Sequence, residues 1–280
     1  MTGVLRHTAN SPGGNIPNPR LHTTEGARVA FHGPVLYAIA FACLWIGSGP
    51  ANAVVPSGEK VAAATARANE QAGRSVPLWF EVTLRDSEGS ALASGVLASH
   101  PTGLARLELV GAPEGETSFV ERHLLQGDAY RASRDGALVD SPMPLLAPLF
   151  LLQTPSGEAL RAALSSFDVA VDDVVLGRVG EHVAYVIGGR QPRGPDGVEP
   201  RQTSLWVDQN TFEVLRIDSV NTVRVEFGPS ADFEGIQAPS WIQMEGPEDP
   251  PLRLEIDRVA PANAPAGAFA VEWLLAPHKR

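Results

Sequence analysis

The chain has 280 residues, 44% of them hydrophobic and 19% charged, which is enough apolar material for a sizeable core and excludes a compositionally disordered protein. Its formal net charge of −10 argues against a broad nucleic-acid surface, which needs basic residues to displace counterions, and against electrostatic attachment to anionic lipid. The single cysteine excludes an internal disulfide framework.

The first 53 residues read as an export signal with a polar extension. Arg28 precedes the apolar run "PVLYAIAFACLWIG" (34–47), and "GPANA" then places Ala51 and Ala53 at the small positions of an A-x-A cleavage site. Cleavage is expected after Ala53, leaving residues 54–280 as a single periplasmic domain. The run is short for a spanning helix, which needs about 20 residues. Cys43 lies inside it, so the processed chain would hold no cysteine and thiol catalysis is excluded. An alternative is lipidation of Cys43 and anchoring at the outer membrane. Ala40-Phe41-Ala42-Cys43 lacks the leucine three residues before the cysteine that this reading wants.

The segment "GEKVAAATARANEQAG" (58–73) is rich in helix formers, with Ser57 as N-cap and Gly73 as stop. Val61, Ala64, Ala68 and Ala72 are expected on its packing face. The period then changes to two. In 78–85, Leu78, Phe80, Val82 and Leu84 alternate with polar residues and Trp79. In 222–227, Val223, Val225 and Phe227 do so, and in 252–258, Leu252, Leu254 and Ile256. Such alternation marks antiparallel strands with one apolar and one wet face. Further strands are expected at 91–99, 103–110, 119–126, 170–176, 182–188, 202–207, 212–218 and 237–244, separated by glycine, proline and aspartate turns. The fold class is therefore mainly β with an α lid: a curved antiparallel sheet of about ten strands covered by a few short helices.

The series is interrupted by "SPMPLLAPLFLLQTPSGEALRAAL" (141–164). Of its four prolines, Pro144 and Pro148 weaken any long helix, since each lacks an amide donor and crowds the preceding turn. A short irregular helix over 142–153 and a second from Ser156 to Ser165 are expected. The first is too broken to span a bilayer, so its leucines must be buried against the sheet or against a ligand. The stretch "GGRQPRGPDGVEPRQ" (188–202) reads as a polar hairpin tip.

Candidate chemistry is sparse. His100, His123, His182 and His278 lack a second ligand at metal spacing and are expected at the surface or in turns. No G-x-S-x-G elbow or phosphate loop is present, and the paired acids at 171–173 and 248–250 read as solvated turns. Trp79, Trp206, Trp241 and Trp273 read as sheet packing. No enzymatic activity, metal or cofactor is expected.

The C-terminal third carries a recognisable order. "SLWVDQNTFEVLRIDS" (204–219) is a hairpin with Asp208 and Thr211 at its turn. It leads to "VRVEFGPSADFEGIQAPSWIQME" (223–245) and then "LRLEIDRVAPANAPAGAFAV" (252–271). Leu205, Trp206, Asp208, Thr211, Phe227, Gly235, Pro239 and Phe269 stand where the LolA/LolB-like periplasmic lipoprotein carriers and outer-membrane lipoprotein-sorting proteins place similar residues, and the chain resembles that superfamily over 204–271. The resemblance implies a half-barrel closed by helices, holding acyl chains of lipid or lipoprotein between sheet and lid. It also implies an exported carrier or sensor working between the inner and outer membranes, as a monomer, with an envelope membrane protein as a further partner. Leu145, Leu146, Leu149, Phe150 and Leu152 from the lid, with Phe80, Val82, Val225 and Phe227 from the sheet, are the candidate lipid-binding residues. The competing reading keeps the same fold with a filled core, as a sensor or interaction module.

Overall fold

A computed structural model describes residues 55–111, 118–127, 129–140, 145–189, 203–219, 223–246 and 249–277. The expected signal, Cys43, the cleavage site after Ala53, most of the 188–202 tip and His278 lie outside them.

The unit that begins at Val54 opens with helix α1 (Gly58–Gln71). Strands β1 (Leu78–Arg85), β2 (Ala91–His100), β3 (Leu104–Gly111), β4 (Phe119–Gln126), β5 (Ala129–Arg134) and β6 (Ala137–Val139) follow. A 3-10 turn, η1 (Leu149–Leu152), and helix α2 (Gly157–Ser166) come next. The chain continues through β7 (Val174–Val179), β8 (His182–Ile187), β9 (Ser204–Asp208), β10 (Val214–Asp218) and β11 (Arg224–Phe227). The hairpin β12 (Ser230–Phe233) and β13 (Ile236–Pro239) precedes β14 (Trp241–Glu245) and β15 (Leu252–Pro261). A 3-10 turn, η2 (Ala266–Phe269), and the short helix α3 (Glu272–Leu275) complete it.

Thirteen strands form one antiparallel sheet in the order β6-β5-β4-β3-β2-β1-β15-β14-β11-β10-β9-β8-β7, and β12-β13 stand apart as a two-stranded ribbon. β6 and β7 do not pair with each other, so the sheet is an open, curved half-barrel. The centre is the β1–β15 seam, with Leu78 opposite Pro261 and Arg85 opposite Arg253. Register shifts at Glu81/Val82, Leu84/Arg85 and Val214/Arg216 insert bulges, which increase local twist and help the sheet to curl.

Alternation decides which face is which. Leu78, Phe80, Val82, Leu97, Leu107, Val225, Phe227, Ile242, Leu254 and Ile256 all enter one buried cluster with α1, η1 and α2, so the concave face is the apolar one. Trp79, Thr83, Arg85, Arg253 and Glu255 point the other way. There Arg85 meets Glu255 at 2.5 Å and Thr83 donates to Asp257 at 2.9 Å.

Helix boundaries have local causes. Ser156 accepts the amide of Ala159 at 3.1 Å, as an N-cap should. Gly73, at φ 72°, ends α1 in a Schellman turn: its amide reaches Glu70 O at 3.0 Å and that of Arg74 reaches Asn69 O at 3.0 Å. Gly157 lets the two helices touch, because a Cβ there would sit 2.7 Å from the Ala63 backbone.

Several expectations are corrected. The expected sheet of about ten strands has thirteen: β5 and β6 went unread, as did β12 in the separate ribbon. The strand expected at 170–176 starts at Val174, and 237–244 is two strands broken at Ser240. The expected helix over 142–153 is only η1, with 145–148 irregular before it, because Pro148 can neither donate nor follow a helical residue comfortably. Residues 142–144 lie outside the described set. The buried face of α1 is Val61, Ala62, Thr65, Ala66 and Asn69 rather than one through Ala64 and Ala68. Its two polar members are used: Thr65 donates to Val61 O at 3.0 Å, and Asn69 to Leu151 O at 3.1 Å. His123 is fully buried, not a surface residue.

Candidate functional site

The lid is the segment 145–169, laid across the concave face. Leu145, Leu146, Leu149, Phe150, Leu151 and Leu152 are all buried. Two polar ties hold η1 down. Gln153 accepts from Ser99 on β2 at 2.5 Å and donates to Val76 O at 2.8 Å. Asn69 grips Leu151 O from α1.

Between the lid and the sheet lies a cavity of about 480 Å³. Leu146, Pro148, Leu151, Leu164 and Phe167 form its lid side. Leu125 and Tyr130 close it from β4 and β5, and Ile217, Val223 and Val225 from the opposite arm of the half-barrel. Polar atoms are confined to a few places, among them Ser166, Asp168, Thr203 and Ser219. An apolar chamber with a few convergent polar groups, within the roughly 300–1,000 Å³ usual for ligand pockets, is the form a small-molecule site takes.

Of the candidate lipid-binding residues, Leu146 and Val225 line this cavity. Phe150 stands one layer back, its ring stacked on Phe167 at 5.9 Å. Leu145 and Leu149, with Phe80 and Val82, are packed in the concave core. Leu152 and Phe227 line a separate groove of about 790 Å³ at one end of the sheet. The sequence reading missed Tyr130, Leu164, Phe167 and Ile217. Tyr130 sits on a strand that was not read, although its one-residue offset from the charged Arg131 carries the alternation.

Tyr130 joins the cavity wall to a buried polar chain. Its hydroxyl accepts the amide of Leu145 at 3.2 Å and bonds His123 Nδ1. His123 Nε2 lies 2.9 Å from Glu121 Oε1. This contact holds the Glu121 carboxyl below the usual carboxylate range, against the opposing pull of burial.

At the far end of the sheet Asp208 organises the β9–β10 turn. It accepts the amides of Asn210 at 2.7 Å and Thr211 at 2.9 Å, and it meets His182 Nδ1 at 2.9 Å. Burial alone would raise its pKa, but these amides and His182 outweigh that and lower it. Among the described residues no three His, Cys, Asp or Glu side chains converge as a metal site would require. No helix among them is long and apolar enough to cross a membrane.

Sequence comparison matches no family model and no curated protein. Several solved structures align with this chain along their whole length. A LolA superfamily protein from Nitrosomonas europaea aligns over 79% of this chain and 100% of its own, at 12% identity and a TM-score of 0.42. An outer membrane lipoprotein-sorting protein domain from Vibrio parahaemolyticus aligns over 78% of this chain and 100% of its own, at 10% identity and a TM-score of 0.45. A DUF1329 family protein from Desulfovibrio piger aligns over 78% of this chain and 100% of its own, at 15% identity and a TM-score of 0.37. Likeness at this level concerns architecture and is silent on ligands.

Proposed function

We propose that this protein is a non-catalytic, exported binding protein that takes an acyl chain of a lipid or lipoprotein into the cavity beneath its lid. The observation that carries the proposal is the cavity itself: about 480 Å³, walled by Leu146, Leu151 and Leu164 on the lid, Leu125 on one arm of the half-barrel and Ile217 and Val225 on the other. An acyl chain needs contiguous apolar wall, and these residues supply it. The Tyr130 hydroxyl, tied to Leu145 N, fixes one end of the lid beside the chamber.

Native mass spectrometry of protein purified from an envelope fraction tests the reading, together with titration of an apolar fluorescent probe. Co-purified lipid and a probe signal are expected, with the signal abolished by Val225→Phe, which fills the chamber from the sheet side. A parent chain that carries no lipid and binds no probe would end the acyl-chain reading and leave a filled-core interaction module. Export is part of the proposal. Intact mass of the envelope form is expected to begin at Val54, and a diacylated Cys43 would replace the free periplasmic protein with an anchored one. So is the absence of catalysis: turnover on ester, peptide or glycoside substrates that is abolished by changing Asp172, Asp173 or His182 would refute it.

A further inference from the structure

The groove of about 790 Å³ at the end of the sheet holds the least expected group in the molecule, the side chain of Arg74. Arg74 is only 3% exposed. The Schellman turn after α1 aims it inward, where Nη2 donates to Asn69 Oδ1 at 3.1 Å. That is its one side-chain hydrogen bond, and its buried Nε has none. Among the described residues no carboxylate lies within ion-pairing distance of it, although seven other arginine–carboxylate pairs form. Burial lowers its pKa and only the more distant charge of Glu213 opposes that.

A buried charge without a paired counter-charge is among the costliest features a fold can hold. A guanidinium offers donors in a planar fork that matches the oxygens of a carboxylate or phosphate. Beside Arg74 the groove is walled by Leu152, Val214, Phe227 and Pro239, with Thr211 and Ser230 as neutral hydroxyls. The acids on it are Asp208, Glu213 and Glu226. Asp208 is already committed to His182 and to its turn amides, which leaves Glu213 as the charge nearest in influence to Arg74.

We propose that this groove is a second binding site, in which Arg74 receives the oxyanion of a small carboxylate or phosphate group. Leu151 faces the apolar cavity and the next residue, Leu152, lines the groove, so the two sites share η1 as a partition. The anion site does not rest on the acyl-chain reading, since no step of it uses the apolar cavity.

The test uses the full processed chain at constant ionic strength. Acetate, inorganic phosphate and soluble dihexanoyl phosphatidic acid are titrated in turn, following the thermal midpoint and the Nε–H resonance of Arg74. A saturable rise of the midpoint and a shift of that resonance are expected, both lost in Arg74→Met. The Glu213→Gln variant should bind several-fold tighter, because a competing negative charge is gone. Response to inorganic phosphate without the lipid would assign the site to free anions, and the reverse would assign it to a headgroup. The Val225→Phe variant should leave these signals unchanged. A midpoint rise of equal size in Arg74→Met would be a general salt effect and would overturn the proposal. If Arg74→Met does not fold, an Nε–H resonance in the parent that stays still under all three ligands overturns it equally.

Discussion

The two faces of the sheet are covered in different ways. The concave face is closed by one continuous apolar cluster, in which α1, η1 and α2 are laid over strands from both arms. The convex face has two small islands instead. One gathers Ala98, Leu124, Phe269 and Leu274 under the C-terminal strap of η2 and α3, and the other gathers Ala184, Val186 and Trp206. Around these islands, arginines lie over rings: Arg216 on Trp206 at 3.9 Å, Arg253 on Trp241 at 4.4 Å and Arg258 on Trp79 at 5.5 Å. A thick apolar layer can hold a hollow and stay closed. A thin one depends on a few anchors and on the aliphatic stems of charged side chains.

The difference can be broken most sharply at Phe269. It is the strap's main anchor, and Gln126 and Arg106 hold the adjacent carbonyls at 3.0 and 2.7 Å. Phe269→Ala should cost about 3–5 kcal/mol in chemical denaturation, with early proteolysis at the C-terminus. On the concave side Leu160 and Leu146 should separate. Leu160 is fully buried where α2 meets the core, and Leu160→Ala should cost about 2–5 kcal/mol. Leu146→Ala only enlarges an existing chamber, so about 1–2 kcal/mol is expected, together with weakened probe binding. Equal costs at the two positions would mean that the chamber is filled.

Smaller effects refine the picture. Ser156→Ala removes the cap of α2 and should lower stability by about 1 kcal/mol, while the lid amides exchange faster with deuterium. A double-mutant cycle on Arg253 and Trp241 should give a coupling of about 0.5–1 kcal/mol. The smallest effect is set by pH. The Asp208 and Glu121 carboxyls have folded pKa values below their ordinary ones. Their contribution is therefore complete above the ordinary carboxylate range and is lost as pH falls through that range to the folded values. Acid titration of Asp208→Asn should lack the part of that loss due to the turn.

The concave half of this architecture was legible because alternation states burial directly. Leu78, Phe80, Val82, Val225 and Phe227 turn inward as their spacing requires. The convex half was not, because Trp79, Trp206 and Trp241 owe their cover to arginines on neighbouring strands, and strand neighbours are not written in local sequence. The lid was legible as a buried apolar segment but not in its form, since Pro148 decides against helix only together with the ties at Gln153 and Asn69. The Arg74 groove had no local signal at all. An arginine after a helix-ending glycine reads as solvated, and only the return of its side chain under α1 makes it otherwise.

The β1–β15 seam at the centre of the sheet has a consequence for the order of assembly. From β1 to β6, and again from β7 to β11, each strand pairs with its successor in the chain, so these ladders can zip locally. The join between Leu78–Arg85 and Leu252–Pro261 closes a loop of most of the chain, and such long-range closure is the slow kind of folding step. Two half-sheets therefore wait, each with an unsatisfied rim, until the last strand arrives. A nascent chain threading out N-terminus first would carry those rims exposed until β15 emerged. Trimming from the C-terminus into β15 would thus split the molecule through its middle rather than fray it at an edge.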